Sequence, residues 1–179
     1  MSFSLHATAA GTFTGMLSSL SKILEKAAEY GVAEGWDAAK LPEARLAPDM
    51  FPLAKQVRIA CDHAKNAMAR LAGQEPPHFA DEEQTIGDLK DRIARCLAFV
   101  ESVPPAAFEG AEDRRIVIPL FNDLVLDMKG DQLLRDWFLP HFYFHVVTAY
   151  DILRHVGVPL SKLDYMNHIG GSVRPKDAA

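Results

Sequence analysis

One apolar stretch near the C-terminus, Leu139–Gly157, constrains the fold more than any other part of the sequence. The apolar positions in and just before it recur at steps of three and four residues, so they fall along one face of an α-helix. These positions are Leu134, Phe138, Phe142, Ala149, Ile152 and Val156, and His145 falls on the same face. Gly157 suits the end of such a helix, and Arg154 and His155 place positive charge in its last turn, where the helix dipole favours it. The stretch is therefore predicted to be the central helix of a bundle.

Three further segments repeat this periodicity and predict three more long helices. Their expected limits are Phe3–Ala7 to Tyr30, Asp49 to Leu71, and Asp81 to Pro104. Gly31 is expected to end the first helix, because glycine readily adopts the conformation that follows a helix. Asp49 is expected to be the N-cap of the second helix, and Asp81 with Gln84 resembles a capping box that opens the third.

Oppositely charged residues stand four positions apart on the predicted outer faces of the second and third helices. Side chains at this spacing meet on a helix surface. The pairs are Arg58/Asp62, Asp88/Arg92 and Asp91/Arg95. We expect these pairs to be exposed and to support the helices.

The pattern changes before the last helix, where short β-branched and aliphatic runs appear. Arg115–Ile118 and Leu124–Leu126 are separated by a Phe-Asn-Asp turn and predict a two-stranded hairpin. Such a ribbon is only marginally stable alone, so it must lie against the helices. Asp131 is expected to cap the last helix, and Pro140 to kink or break it.

The domain organisation follows from these elements. Four amphipathic helices with one hairpin inserted before the last predict an all-α four-helix bundle. It is expected to be a single domain over residues 1–169, with a disordered tail over 170–179. Cys61 and Cys96 fall on two different predicted helices, where buried free thiols are expected rather than a disulfide framework.

Composition limits the classes of function. The net charge is −5 and the pI about 5.8, with Lys and Arg scattered among acids, so no nucleic acid is expected as a partner. No apolar run approaches the roughly 18–20 residues of a membrane span, so no membrane partner is expected. Residues 1–6 lack the basic opening and apolar core of a signal peptide. We therefore expect a cytoplasmic protein.

The chemistry-bearing feature of the last helix is a pair of histidines one turn apart, His141 and His145. Neutral imidazoles at this spacing can converge on one metal ion. His63 lies at the border of the second helix's apolar stripe, in line with Gln56, and is geometrically plausible as a third ligand. Three protein ligands with an open position are typical of catalytic metal sites. The alternative is that the histidines are hydrogen-bonded core residues or bind a small ligand.

Three other polar residues are candidates for lining a pocket with these histidines. Gln56 stands beside a buried stripe and needs a partner across the bundle or on a ligand. Tyr150 either donates a hydrogen bond toward the histidines or packs at an interface. Asp49 is either the N-cap or an acid of the pocket. No nucleophile elbow, phosphate-binding loop, Cys-x-x-Cys pair or Glu-x-x-His motif is present, which excludes most hydrolase, nucleotide-binding, redox and di-iron functions.

Short motifs spread over nearly the whole chain, from about Ser4 to Met166, carry a resemblance to a known family. They are Arg45–Leu53, Gln56-Val57, Cys61-Asp62, Phe142–His145, Ala149-Tyr150, Ile152–His155 and Gly157–Leu160. These motifs resemble an uncharacterised bacterial family of domains of unknown function, whose fold is similar to that of the DinB/YfiT-like predicted metalloenzymes. The resemblance implies a DinB-like up-down-down-up bundle that is often dimeric, and it implies no known reaction.

The wider superfamily also implies a ligand set. It commonly holds one divalent ion through three histidines, one on the second helix and two on the last, and the matching positions here are His63, His141 and His145. The ion would be Zn, Ni, Mn or Fe, and would act as a Lewis acid on water or a small thiol. The alternative is a non-catalytic small-ligand-binding or dimerisation module with structural histidines. A homodimer is expected.

Overall fold

Four long helices form the core of the molecule, and this computed structural model describes residues 4–174. They are α1 (Leu5–Ala33), α2 (Leu53–Leu71), α3 (Ile86–Ser102) and α5 (Leu139–His155). The last helix is extended at its start by α4 (Gly130–Leu133) and a π-turn over Leu134–Phe138. A hairpin of β1 (Arg115–Pro119) and β2 (Val125–Lys129) precedes it, and α6 (Lys162–Tyr165) follows it. Short 3₁₀ turns span Ala38–Glu43, Pro105–Phe108 and Asn167–Ser172.

Contacts near the helix ends show that α1 and α3 run in opposite directions. Glu25, late in α1, accepts a hydrogen bond from Lys90, early in α3, at 2.8 Å. His6, at the start of α1, lies 2.8 Å from the carbonyl oxygen of Val103, just beyond α3. The two helices are therefore antiparallel.

The helices α2 and α3 run parallel, although they follow each other in sequence. The connection between them returns along α2, where Lys65 lies over the ring of Phe79 and Lys55 binds Asp81 at 3.2 Å. Gln56 of α2 contacts His145 of α5, and the later His63 contacts the earlier His141, so α5 is antiparallel to α2. The order is therefore up-down-down-up, as the resemblance implied. The predicted four-helix bundle with an inserted hairpin is confirmed.

The core is a single cluster of aliphatic and aromatic side chains, to which all four long helices contribute. The hairpin lies against this core through one face, where Ile116 is buried. The two strands pair from Arg115 opposite Lys129 to Pro119 opposite Val125. None of the helices between residues 4 and 174 combines the length and the apolar character that crossing a bilayer requires. The part of the predicted tail beyond residue 174 lies outside the described residues.

Several predicted helix ends are wrong by a few residues. Gly31 does not end α1, which continues to Ala33; Gly31 is buried against Leu41 and Trp36, and Gly35, with φ of +68°, turns the chain instead.

The expected caps of the second and third helices are also wrong. Asp49 lies in a turn before the helix, and Pro52 occupies the N-cap of α2 without a side-chain hydrogen bond. The capping box of α3 is formed by Thr85 and Asp88, four residues after the predicted Asp81. Asp and Thr both cap helices well, so composition alone does not choose between neighbouring candidates.

The last helix starts differently from the prediction, and it continues through Pro140 without a break. Asp131 is not its N-cap but lies in its first turn, after Lys129. Pro140 does not break the helix; the chain widens into the π-turn directly before it. Since proline has no N–H for the carbonyl four residues earlier, a local change of hydrogen-bond pattern accommodates it.

The predicted surface pairs of Arg92 and Arg58 are wrong, because both arginines hold the connection before α3. The Arg92 side chain is fully buried, and its guanidinium lies 3.0 Å from Asp62, 3.3 Å from Asp81 and 3.0 Å from Glu83. Arg58 donates to Glu83 at 2.8 Å. Asp88 is occupied in the capping box. A buried guanidinium requires such partners, since an unpaired buried charge is costly.

Replacing Arg92 should strongly destabilise the fold. In Arg92→Met we expect the free energy of unfolding to fall by about 3–5 kcal/mol, because the buried carboxylate of Glu83 loses its main partner. Burial raises the pKa of Glu83, but the hydrogen bonds from Arg92 and Arg58 outweigh it and hold the pKa below its ordinary value. The contribution of Glu83 is therefore full above about pH 4.5 and lost as the pH falls through the lower folded pKa. Urea unfolding measures this loss; the exposed Arg135→Met is the control and should change little.

Gly130, at the start of α4, allows the last helix to cross the segment before the hairpin. A Cβ at this position would overlap the backbone oxygen of Ala111 and lie 3.1 Å from Leu71. We expect Gly130→Ala to lower the free energy of unfolding by about 1–3 kcal/mol or more. The matched control is Gly11→Ala in α1, where a Cβ meets nothing within 4 Å and should stabilise by up to about 1 kcal/mol. Equal effects in thermal or urea unfolding would contradict this account.

Candidate metal centre

Three histidine rings lie together where α2 packs against α5. His63 comes from α2, and His141 and His145 come from successive turns of α5. The ring centroid of His63 lies 4.7 Å from that of His141 and 5.9 Å from that of His145. The structure thus brings together the three predicted ligands from two separate segments.

Hydrogen bonds hold two of the three rings. Nδ1 of His145 lies 2.7 Å from Oε1 of Gln56, and Nδ1 of His141 lies 2.9 Å from the carbonyl oxygen of Trp137. Nδ1 of His63 is buried and, among residues 4–174, has no hydrogen-bond partner. Such an orphaned nitrogen calls for a physical explanation, since most buried polar atoms are paired.

Burial keeps two of these imidazoles neutral. The pKa of His63 is lowered from 6.5 to about 3, first by burial and then by the nearby His141 and His145. The pKa of His145 is lowered from 6.5 to about 4, by burial and by His141. A neutral imidazole has a lone pair available, and this is the form that binds metal ions.

Aromatic side chains surround the three rings. Trp137 packs edge-on against His141 with centroids 4.2 Å apart, Phe144 lies 5.2 Å from His145, and Phe138 lies 6.1 Å from His63. Phe138 is buried, whereas Phe144 is 58% exposed. The cluster therefore borders solvent on the Phe144 side and the core on the Phe138 side.

The rings as they stand do not form a finished metal site. Within residues 4–174, no group of three or more His, Cys, Asp or Glu side chains is arranged so that it could hold an ion. The reason is the stacking: the ring planes of His63 and His141 differ by 4°, and those of His63 and His145 by 13°. An imidazole lone pair lies in the ring plane, and nearly parallel planes do not meet at one ion. The donor chemistry fits a metal, but binding requires the rings to turn.

The other predicted pocket residues are placed differently. Gln56 is buried and joins the cluster directly. Asp49 is exposed in the turn before α2, and the ring of Tyr150 packs against Tyr165 of α6. Asp62, expected beside Arg58, binds Arg92 instead.

Two sizeable surface depressions of the described residues lie away from the histidines. One of about 360 Å³ lies beside Trp36 and Val156, and another of about 570 Å³ lies at the start of α3. A small-molecule pocket around Gln56 and the histidines stays a prediction.

Sequence reasoning missed two backbone groups of the site. The carbonyl oxygen of Trp137 is the hydrogen-bond partner of Nδ1 of His141. The carbonyl oxygen of Phe51 accepts a hydrogen bond from Nε2 of Gln56 at 3.0 Å. Every residue carries a carbonyl group, so no residue type signals this role. Pro140 is the signal in the sequence that points to this turn, because it predicts a disturbed hydrogen-bond pattern in the residues before it.

The buried histidines should make stability depend on pH. Because their folded pKa values lie below 6.5, their contribution to stability is full above pH 6.5 and is lost as the pH falls toward 4 and then 3. Between pH 6.5 and 5, we expect the free energy of unfolding to fall by up to about 1.4 kcal/mol per pH unit for each histidine. Urea unfolding of His145→Gln should show a smaller slope than that of the wild type. A wild-type slope of zero in this range would refute the buried neutral histidines.

Comparison with known proteins assigns the chain to a family. The model of a family described as a domain of unknown function, DUF1993, matches residues 5–166. The crystal structure of a DinB family member protein from Shewanella denitrificans superposes with a TM-score of 0.84, at 37% sequence identity over 90% of this chain and 91% of that chain. No curated protein matches the sequence. The resemblance expected from the motifs is thus confirmed: the chain belongs to the DUF1993 family, and its fold is DinB-like.

Proposed function

We propose that this protein binds one divalent transition-metal ion, Zn, Ni, Mn or Fe, through His63, His141 and His145. The observation that carries the proposal is the meeting of three imidazoles from two helices, one of them with a buried, unpartnered Nδ1. Imidazole nitrogen suits all four of these metals. The low pKa values of His63 and His145 support the proposal, because no proton has to be displaced from them at neutral pH.

The ring rotations that binding requires cost less free energy than a metal ion supplies on binding. The terminal torsion of histidine is broad, and an off-rotamer side chain costs about 0.5–1.5 kcal/mol. A metal bound with a dissociation constant of 1 μM contributes about 8 kcal/mol. Turning three rings would therefore cost about 1.5–4.5 kcal/mol, and each hydrogen bond to Gln56 or Trp137 that is lost would add about 0.5–1.5 kcal/mol, which is still less than the free energy of metal binding at this affinity. His63 is the ring that turns most easily, since none of the described hydrogen bonds holds it.

A metal held by three histidines keeps at least one open position, where it would act as a Lewis acid on a bound water or a small thiol. The chain's own groups would support the ligands from behind. Gln56 and the carbonyl group of Trp137 orient two rings, and Trp137 and Phe138 limit the access of water. We infer metal-dependent chemistry on a small molecule as the function that this donor set supports best.

A non-catalytic module with structural histidines is the competing function, and the stacked rings favour it. Face-to-face imidazoles can pack as a core cluster without any ion. The two functions differ in one measurable respect, which is stoichiometric metal binding by the tag-free protein.

Metal binding should depend on each histidine of the cluster. We expect protein purified without chelators or a histidine tag to contain, or to take up, one equivalent of Zn, Ni, Mn or Fe, as measured by mass spectrometry of the metal and by calorimetric titration. His145→Ala and His63→Ala should each weaken metal binding by at least about 100-fold, because only two of the three imidazole ligands remain. His155→Ala, which removes an exposed histidine from the same helix, is the matched control and should bind like the wild type. No binding by the wild type at saturating metal, or equal loss in the control, would favour the structural function.

A further inference from the structure

The side chain of Gln56, in α2, links His145 of α5 to the carbonyl group of Phe51, just before α2, through two hydrogen bonds. We propose that Gln56 is a positioning residue that holds His145 with its proton on Nδ1, so that Nε2 offers its lone pair to the ion. This inference rests on the metal site proposed above, and it names the side chain that orients one of the metal ligands.

The orientation of the Gln56 amide follows from its two neighbours. An amide has a donor end and an acceptor end, whereas a backbone carbonyl group only accepts. Nε2 of Gln56 therefore donates to the carbonyl oxygen of Phe51 at 3.0 Å, and Oε1 of Gln56 faces Nδ1 of His145 at 2.7 Å. Since Oε1 can only accept, Nδ1 of His145 must carry the proton and donate.

The alternative arrangements all leave buried groups unsatisfied. With the proton on Nε2, two lone pairs would face each other between His145 and Gln56. Turning the amide over would then place Oε1 against the carbonyl oxygen of Phe51. Gln56 is 2% exposed and His145 is 8% exposed, so water cannot readily compensate. An unsatisfied buried polar group costs about 1–3 kcal/mol, which is enough to select one tautomer.

The three histidines differ in the group that selects the tautomer of each ring. His141 also faces a carbonyl oxygen, that of Trp137, so it too carries its proton on Nδ1. That partner belongs to the backbone and cannot be removed by substitution. His63 has no comparable partner among the described residues, so metal binding can decide its orientation. Among residues 4–174, Gln56 is thus the one side chain hydrogen-bonded to a ring nitrogen of the cluster, so substituting it can change a ligand's tautomer without changing the ligand.

The test measures the tautomer in metal-free protein and the affinity for Zn²⁺ separately. Nitrogen-15 NMR at pH 7.5 should show His145 with a protonated Nδ1 in the wild type. In Gln56→Leu this preference should be lost, and Zn²⁺ affinity measured by competition with a chromophoric chelator should fall by about 10–100-fold, the usual effect of removing such a partner. Gln56→Glu keeps an acceptor for Nδ1–H, so it should retain the tautomer and bind Zn²⁺ at least as tightly as the wild type. Gln132→Leu, the same change at an exposed position of α4, is the control and should match the wild type.

The outcomes separate the two proposals. A wild-type His145 with its proton on Nε2, or a Gln56→Leu variant with unchanged tautomer, overturns the role of Gln56 even if Zn²⁺ binds. Equal loss of Zn²⁺ affinity in Gln56→Leu and Gln56→Glu, with the tautomer preserved in both, shows a purely structural role and also overturns it. Wild-type protein that binds no metal overturns the proposed function itself. The wild-type tautomer needs no variant, so it can be measured even if Gln56→Leu fails to fold.

Discussion

The hydrogen bond between Gln56 and His145 places a polar pair inside the packing of α2 against α5, the most extensive helix contact among the described residues. Both side chains are buried, so the bond is satisfied only in one alignment of the two helices. Sliding one helix by a single turn would move it about 5.4 Å and leave both groups unpaired. The same alignment brings His63 beside His141. The histidine cluster is therefore a consequence of how the two helices must pack.

Two buried polar clusters among residues 4–174 are satisfied in different ways. Arg92 is charged, and three carboxylates and a backbone carbonyl group surround its guanidinium, which ties the connection before α3 to the bundle. His63 and His145 are held neutral by burial, which lowers the pKa of each, and Nδ1 of His63 has no protein partner in the described part of the chain. Nε of Arg92, like Nδ1 of His63, has no partner among the described residues, but a guanidinium N–H has no lone pair to offer a metal ion, whereas a neutral imidazole nitrogen has one. This contrast is the physical basis for placing function at the histidines.

Much of the fold could be predicted from the sequence because it depends on periodicity. The last helix, the hairpin and the approximate limits of all four long helices follow from apolar spacing, and the helix order came from the family resemblance. The inward position of Arg92 could not be predicted, because its spacing from Asp88 also fits a surface pair. The i,i+4 spacing predicted that His141 and His145 share one side of a helix, but their stacking with His63 depends on ring torsions that spacing does not encode. The partners Phe51 and Trp137 act through backbone carbonyl groups, which have no signature in sequence.

The central claim is that three imidazoles leave their stack and converge on one ion. X-ray absorption spectroscopy of the protein loaded with one equivalent of Zn²⁺ measures this directly, because imidazole groups give a characteristic scattering pattern. The account predicts three imidazole nitrogens at about 2.0–2.1 Å from the metal, with the remaining position filled by an oxygen ligand such as water. A first shell of oxygen alone, or with a single imidazole, would show that the ion binds elsewhere and that the histidines are part of the core.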